Sequence, residues 1–265
     1  MIFYFNMDLG SMWRLPVILT LFILVHAFKA MRLYLILIDE KIPFKKFLFL
    51  YSATTLVNLI VPFKLGEFFR IFVFIKATHD KKVGFLSVLL DRFFDTVALV
   101  LILLPYELLK GGIVSSSSLL LAVFIVVLVF VYISFPSFYT YLNRYIIMNR
   151  SSKGAMGSLK LLEFLKSGRD YVARLIRGRY ALLTVCSFVA WLIECGILHV
   201  MSGQFKLKGE SDISSYIQSI ISFNKTELMS RYVTFGTVMM VITTIVTFII
   251  CLASGVFSKQ RKIRK

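Results

Sequence analysis

The apolar positions of this chain fall into long runs separated by short clusters of lysine and arginine, and run length sorts them into two kinds. Leu15 to Ile38, Val83 to Pro105, Leu119 to Pro136, Tyr180 to Met201 and Tyr232 to Phe257 are each long enough to cross the hydrocarbon layer as a helix. Two further runs are too short. Phe47 to Val61 is interrupted by Pro62 and Gly66 before a second short run from Glu67 to Ile75, and Ile213 to Phe223 is followed by Asn224-Lys225-Thr226-Glu227. Half-length segments broken by Pro and Gly predict re-entrant or broken helical hairpins, which survive at membrane depth only where protein or water covers their backbone. The expected fold is an all-α polytopic membrane protein with about five full spans and two short hairpins, forming a single transmembrane domain over residues 1–265.

Polar positions set the orientation. The stretch 143–179 carries nine Lys/Arg, while Met156, Leu159, Leu162, Leu165, Val172, Leu175 and Ile176 repeat at helical spacing. That pattern predicts a basic amphipathic helix lying on an anionic cytoplasmic surface. The plainer alternative is a solvated connector with Asp170 and Arg174 as an exposed i,i+4 pair. Basic residues gather on the cytoplasmic side. This places 143–179, the tail Lys259 to Lys265, Lys76 to Lys82 and Asp39 to Lys46 inside, and the N-terminus outside, provided that 47–75 turns back as a hairpin. Were 47–75 one kinked span, the lysines of Asp39 to Lys46 would lie outside. Phe63 and Glu67 recur at the same spacing as Phe223 and Glu227, each pair after a short apolar run and before a span. This points to an inverted repeat, the architecture of alternating-access transporters.

Composition agrees. The chain is 58% hydrophobic and 17% charged, where soluble domains carry about 25% charged residues. No soluble catalytic domain is expected. Thirty-one Lys+Arg against 14 Asp+Glu give a net charge of +17, which reads as topology and contact with anionic headgroups; no polar folded region remains to present it to nucleic acid. Cys186, Cys195 and Cys251 lie in apolar runs and are expected as free thiols. Met1 to Trp13 lacks the marks of a signal peptide. Cys195 and His199 at i,i+4 have no further ligands in the pattern, so no metal and no cofactor are expected.

The exceptions to apolarity carry the chemistry. Lys64, Arg70 and Arg92, against Glu67, Asp91 and Asp95, sit in or beside segments that otherwise suit lipid. Six unpaired ions at the bilayer centre would cost on the order of 15–20 kcal/mol, so they must be paired, hydrated or lining a polar cavity. His26, Lys29 and Arg32 share one face of the first span. Arg32 is read there as snorkelling to the headgroups; Lys29 either snorkels or lines the cavity. Glu194, near Trp191 in a later span, is a further suspect.

Asn58-x₃-Pro62-x₃-Gly66-Glu67-x₂-Arg70, followed by Asp91-Arg92-x₂-Asp95, resembles the lysylphosphatidylglycerol synthase transmembrane region family, also described as flippase-like. The family's usual form is Pro-Gly-x-Gly-Glu-x-x-Arg and then Glu-Arg-x-x-Asp; here Phe63 replaces Gly and Asp91 replaces Glu, with no charge lost. Against the family the chain starts at the second span, its late Glu turn is reduced to Asn224 to Glu227, and no aminoacyltransferase domain follows Phe257. The resemblance implies movement of an anionic lipid or a polyprenyl-phosphate-linked headgroup between leaflets of the cell membrane, not an enzymatic reaction. The substrate-binding set is then Arg70, Glu67, Lys64, Arg92, Asp91, Asp95, Asn58, Lys29 and Glu227, with Pro62 and Gly66 at the gating helix break. Arg70 and Arg92 would bind phosphate, held by Glu67, Asp91 and Asp95. The competing expectation is a non-transporting anchor that docks a cell-envelope glycosyltransferase through 143–179.

Overall fold

A computed structural model describes residues 14–61, 65–78, 80–111, 114–149, 153–204 and 227–254. Among them are eight α-helices and no strand: α1 Arg14–Leu37, α2 Phe44–Ile60, α3 Leu65–Ala77, α4 Lys81–Gly111, α5 Ser116–Asn149, α6 Lys153–Ile176, α7 Tyr180–Gln204 and α8 Glu227–Ala253. Four helices are long and apolar enough to cross a membrane, within Leu15–Glu40, Ser116–Met148, Tyr180–Met201 and Ser230–Ala253. The expected fifth span lies in α4, whose 31 residues give about 46 Å of helix; Asp91, Arg92 and Asp95 set it apart from the other four in composition.

The 47–75 stretch is two helices folded back on each other. Asn58 faces Gly66 and Glu67, Thr55 faces Arg70, and Phe47 faces Phe74. These pairings require an antiparallel α2–α3 hairpin, which excludes one kinked helix. Both open ends lie beside the α1–α2 connection. There Lys45 Nζ donates to Ser254 Oγ at the end of α8 (2.8 Å), and Arg179 holds Asp39 (2.9 Å). The closed end reaches deep into the bundle, since Leu59 lies beside Gly236, the tenth residue of α8. At 17 residues, α2 rises roughly 25 Å, less than a full crossing.

Gly66 does not break the hairpin. It lies in the first turn of α3, and a Cβ there would come within 2.4 Å of the Asn58 Cα. Its missing side chain is what lets α2 and α3 touch backbone to backbone. Gly84 does the same between α3 and α4, its Cβ position being 2.7 Å from the Ile75 Cα. Pro62, Phe63 and Lys64 lie outside the described residues, as does the second short hairpin expected at 213–227, up to Glu227.

Packing closes the remaining faces. α1 runs along α7 and α2 along α8, while α4 touches α1, α3 and α7. Ile18, Phe22, Val25, Ile197 and Met240 form one buried cluster; Leu33, Phe47, Tyr51 and Phe74 form another nearer the Asp39 end. At the opposite end, the buried Glu107 carboxylate accepts the Ser115 N–H (3.0 Å) and the hydroxyls of Ser115 and Ser118 (both 2.9 Å), capping α5 and tying it to α4.

Two expected boundaries move. α5 does not stop at Pro136 but continues to Asn149, since a transmembrane helix tolerates proline within its length. The 143–179 segment is therefore the end of α5, then α6, then a short turn. Asp170 pairs with the adjacent Arg169 (3.3 Å), not with Arg174.

Replacing Gly84 with valine should overpack the α3–α4 crossing and destabilise the fold by about 1–3 kcal/mol. Unfolding measured in detergent micelles checks this; an unchanged midpoint would remove the close-approach explanation.

Candidate functional site

Buried charge converges where α1, α3, α4 and α7 meet the hairpin. The sequence reading of Arg32 is overturned. Arg32 is fully buried, far from any snorkelling position, with Nε on Asp91 Oδ1 (2.7 Å) and Nη1 on both Asp95 Oδ1 (2.8 Å) and Ser187 Oγ (2.9 Å). One turn away on the same face of α1, Lys29 Nζ donates to Glu194 Oε2 (2.5 Å) and sits over the Trp191 ring. Glu194 also accepts from the Tyr232 hydroxyl (3.1 Å), and Trp191 Nε1 donates to the Asp95 carbonyl (3.2 Å). Sequence spacing signalled a shared face for Lys29 and Arg32 but held no sign of their partners, which lie 59 to 165 residues away.

Asp91 is the hub. Its Oδ1 takes Arg32, and its Oδ2 takes Arg92 Nη2 at 2.9 Å with Arg70 Nη1 beyond hydrogen-bond range at 3.8 Å. Arg92 also reaches Glu67 (3.4 Å) and Asp95 (3.7 Å). Asn58 Nδ2 donates to Glu67 Oε1 at 2.8 Å. Glu67 and Arg70, adjacent in the motif, do not pair: Glu67 turns outward to Arg92, and Arg70 turns inward beneath Tyr51.

The network holds four cations (Lys29, Arg32, Arg70 and Arg92) and four anions (Glu67, Asp91, Asp95 and Glu194) among the described residues. Formal neutrality removes most of the cost of burying charge. It does not satisfy every donor. Arg70, only 2% exposed, makes one hydrogen bond, from Nη2 to Thr55 Oγ1 (2.7 Å). Its Nε and Nη1 have no hydrogen-bond partner among the described residues, nor has Glu67 Oε2. Leaving such donors bare at depth costs more than an ordinary lost hydrogen bond, because each belongs to a cation. The side chains closest to the surface are Arg92, at 36% exposure, and Glu67, at 20%. They are the accessible side of the network, and Arg70 lies on its buried side.

Of the expected site residues, Asn58, Glu67, Arg70, Asp91, Arg92, Asp95 and Lys29 are thus brought into one network. Gly66 joins it as a packing residue. Pro62 and Lys64 lie outside the described residues, and nothing is described of the Glu227 side chain. No group of three or more His, Cys, Asp or Glu is placed to hold a metal among the described residues.

The decisive comparison is the family model described as lysylphosphatidylglycerol synthase TM region, which matches residues 6–209. The chain belongs to that family. Its matched region includes the hairpin, the Asp91 hub and Glu194. Comparison with curated proteins and with solved structures finds no match.

Two arginines of this family member should separate on mutation. Arg32→Leu takes from the buried Asp91 and Asp95 their best-bonded cation and should cost about 3–5 kcal/mol. Arg70→Gln removes a cation that is already under-paired and should cost far less. Equal losses in paired unfolding experiments would contradict the assignment of Arg32 to the scaffold.

Proposed function

We propose that this protein moves an anionic phospholipid, or a polyprenyl-phosphate-linked lipid, between leaflets of the cell membrane, as a flippase or scramblase. The supporting observation is Arg70, a buried guanidinium with Nε–H and Nη1–H unbonded within a buried charge network. Guanidinium suits phosphate oxygens, which can take both donors where a single carboxylate cannot reach. Membership of the family supports the same lipid-directed reading.

In this proposal the α2–α3 hairpin is re-entrant and α4 is the fifth span. Lys41, Lys45, Lys46, Lys76, Lys81, Lys82 and Arg179 lie at the hairpin's open end, which supports a cytoplasmic position for that end and for the C-terminus. A phosphate arriving at the accessible side of the network competes with Glu67 for Arg92, whose 3.4 Å contact is the longest that Glu67 makes. Releasing Glu67 loosens its hold on the hairpin, so the hairpin can shift and open Arg70. Asp91 stays bound to Arg32 throughout and fixes the buried side.

A second reading keeps the protein as a membrane anchor for a cell-envelope glycosyltransferase. The basic, exposed helix α6 favours it, with Lys160, Lys166 and Arg174 beside exposed Met156, Leu161 and Leu165. A soluble enzyme that co-purifies with the protein and is lost on neutralising α6, without lipid movement in any variant, would select that reading.

The direct test reconstitutes the protein in vesicles and follows leaflet exchange of labelled phosphatidylglycerol and polyprenyl phosphate. Arg70→Gln should slow exchange at least tenfold, as expected for one partner of a buried charge contact, and Glu67→Gln should change the rate while leaving the fold intact. Parent-like exchange by a folded Arg70→Gln protein would discard the site.

A further inference from the structure

α5 stands away from the bundle through its middle. Six successive residues, Val126 to Val131, are each 39% to 69% exposed. Six helical positions cover every direction around the axis, so α5 is largely open on every side at that level among the described residues. The described contacts that hold the helix flank this stretch. Glu107 clasps Ser115 and Ser118 at one end. At the other, α6 lies between α4 and α5. One face of α6 meets α4, with Gly168 against Leu86 and Phe164 under Lys82. The opposite face meets α5, with Lys166 over Tyr139 (4.6 Å) and Arg169 over Tyr132 (5.4 Å). The result is an apolar window bounded by α4, α5 and α6.

We propose that this window holds the acyl chains of an anionic phospholipid whose phosphate rests on Lys166 and Arg169. The site is separate from the Arg70 network and does not depend on the transport reading. Two observations choose lipid over a second protein helix. Transmembrane helices associate through small residues that let their backbones approach, and from Leu119 to Ile133 only Ala122 is small. Branched and aromatic side chains fill the rest, which suits flexible chains. The rim then supplies the headgroup contact. Arg169 Nε has no hydrogen-bond partner among the described residues. Just beyond lies a groove of about 330 Å³ lined by Tyr139, Glu163, Lys166, Ser167, Asp170 and Arg174. Counting Arg169, three cations face two carboxylates there, and that balance favours a net negative lipid. Tyr132 and Tyr139 add the interfacial aromatics expected at headgroup depth.

The experiment uses the full chain in vesicles containing phosphatidylglycerol or phosphatidylcholine with a diazirine in one acyl chain, and maps the photolabelled residues. Labelling should concentrate on Val126–Val131 and the facing Leu101, with phosphatidylglycerol favoured. Lys166→Gln and Arg169→Gln should each lower that preference about fivefold, the effect of one basic residue near an anionic lipid. Leu101→Trp, which narrows the window without touching the rim, should reduce labelling of α5 by both lipids. The proposal is overturned by labelling spread evenly over the exposed apolar face of α8, by equal labelling from the two lipids in the parent protein, or by protein–protein cross-links at Val126–Val131 in place of lipid adducts.

Discussion

Three guanidinium groups converge on the single carboxylate of Asp91, and the bundle is built around how that carboxylate is shared. A buried ion is tolerated when paired and hydrogen-bonded, and becomes a heavy penalty when its partner is removed. Arg32 has taken the best geometry, bonding both aspartates of α4 and Ser187 of α7. α1, α4 and α7 are thereby cross-linked by charge-assisted bonds between buried side chains. Arg92 takes the second oxygen. Arg70 is left with a hydroxyl and a distant carboxylate. Among the described residues, Arg32 and Arg92 are each left with one unbonded nitrogen and Arg70, on the hairpin, with two, so the shortage is greatest at Arg70.

That hairpin can reach the hub because two glycines let backbones touch. With Gly66 against Asn58 and Gly84 against Ile75, α3 is sandwiched tightly between α2 and α4. Close approach sets Glu67 and Arg70 at the level of Asp91 and Arg92 and turns them to different sides of α3. One motif thus delivers a carboxylate to the accessible side of the network and a cation to its buried side. The outward face of α3 is apolar, with Phe68, Phe69 and Phe72 exposed, so the element bearing the charges faces lipid along its other side.

Much of this was legible in the chain because charges inside apolar runs have few explanations. The stretch from Asn58 to Asp95 stood out on that ground alone, and its residues do meet. The hairpin was legible too, since its segments are too short to cross. Arg32 was misread because an arginine near the end of a span has an ordinary alternative at the headgroups. A cue existed in its sharing a face with His26 and Lys29, and in two aspartates on α4 with only one arginine beside them. The pairing of Lys29 with Glu194 spans 165 residues and has no local signature. The continuation of α5 past Pro136 was missed because proline ends helices in water, whereas a transmembrane helix tolerates it.

The central claim is that Arg70 keeps two buried donors for an anionic oxygen. It is tested most directly by an experimental structure in nanodiscs containing phosphatidylglycerol. The account predicts phosphate density within hydrogen-bond distance of Arg70 Nε or Nη1, with Arg32 still bound to Asp91 and Asp95. Finding Arg70 instead fully bonded to Glu67 and Asp91, in a cleft closed to lipid on every side, would contradict it.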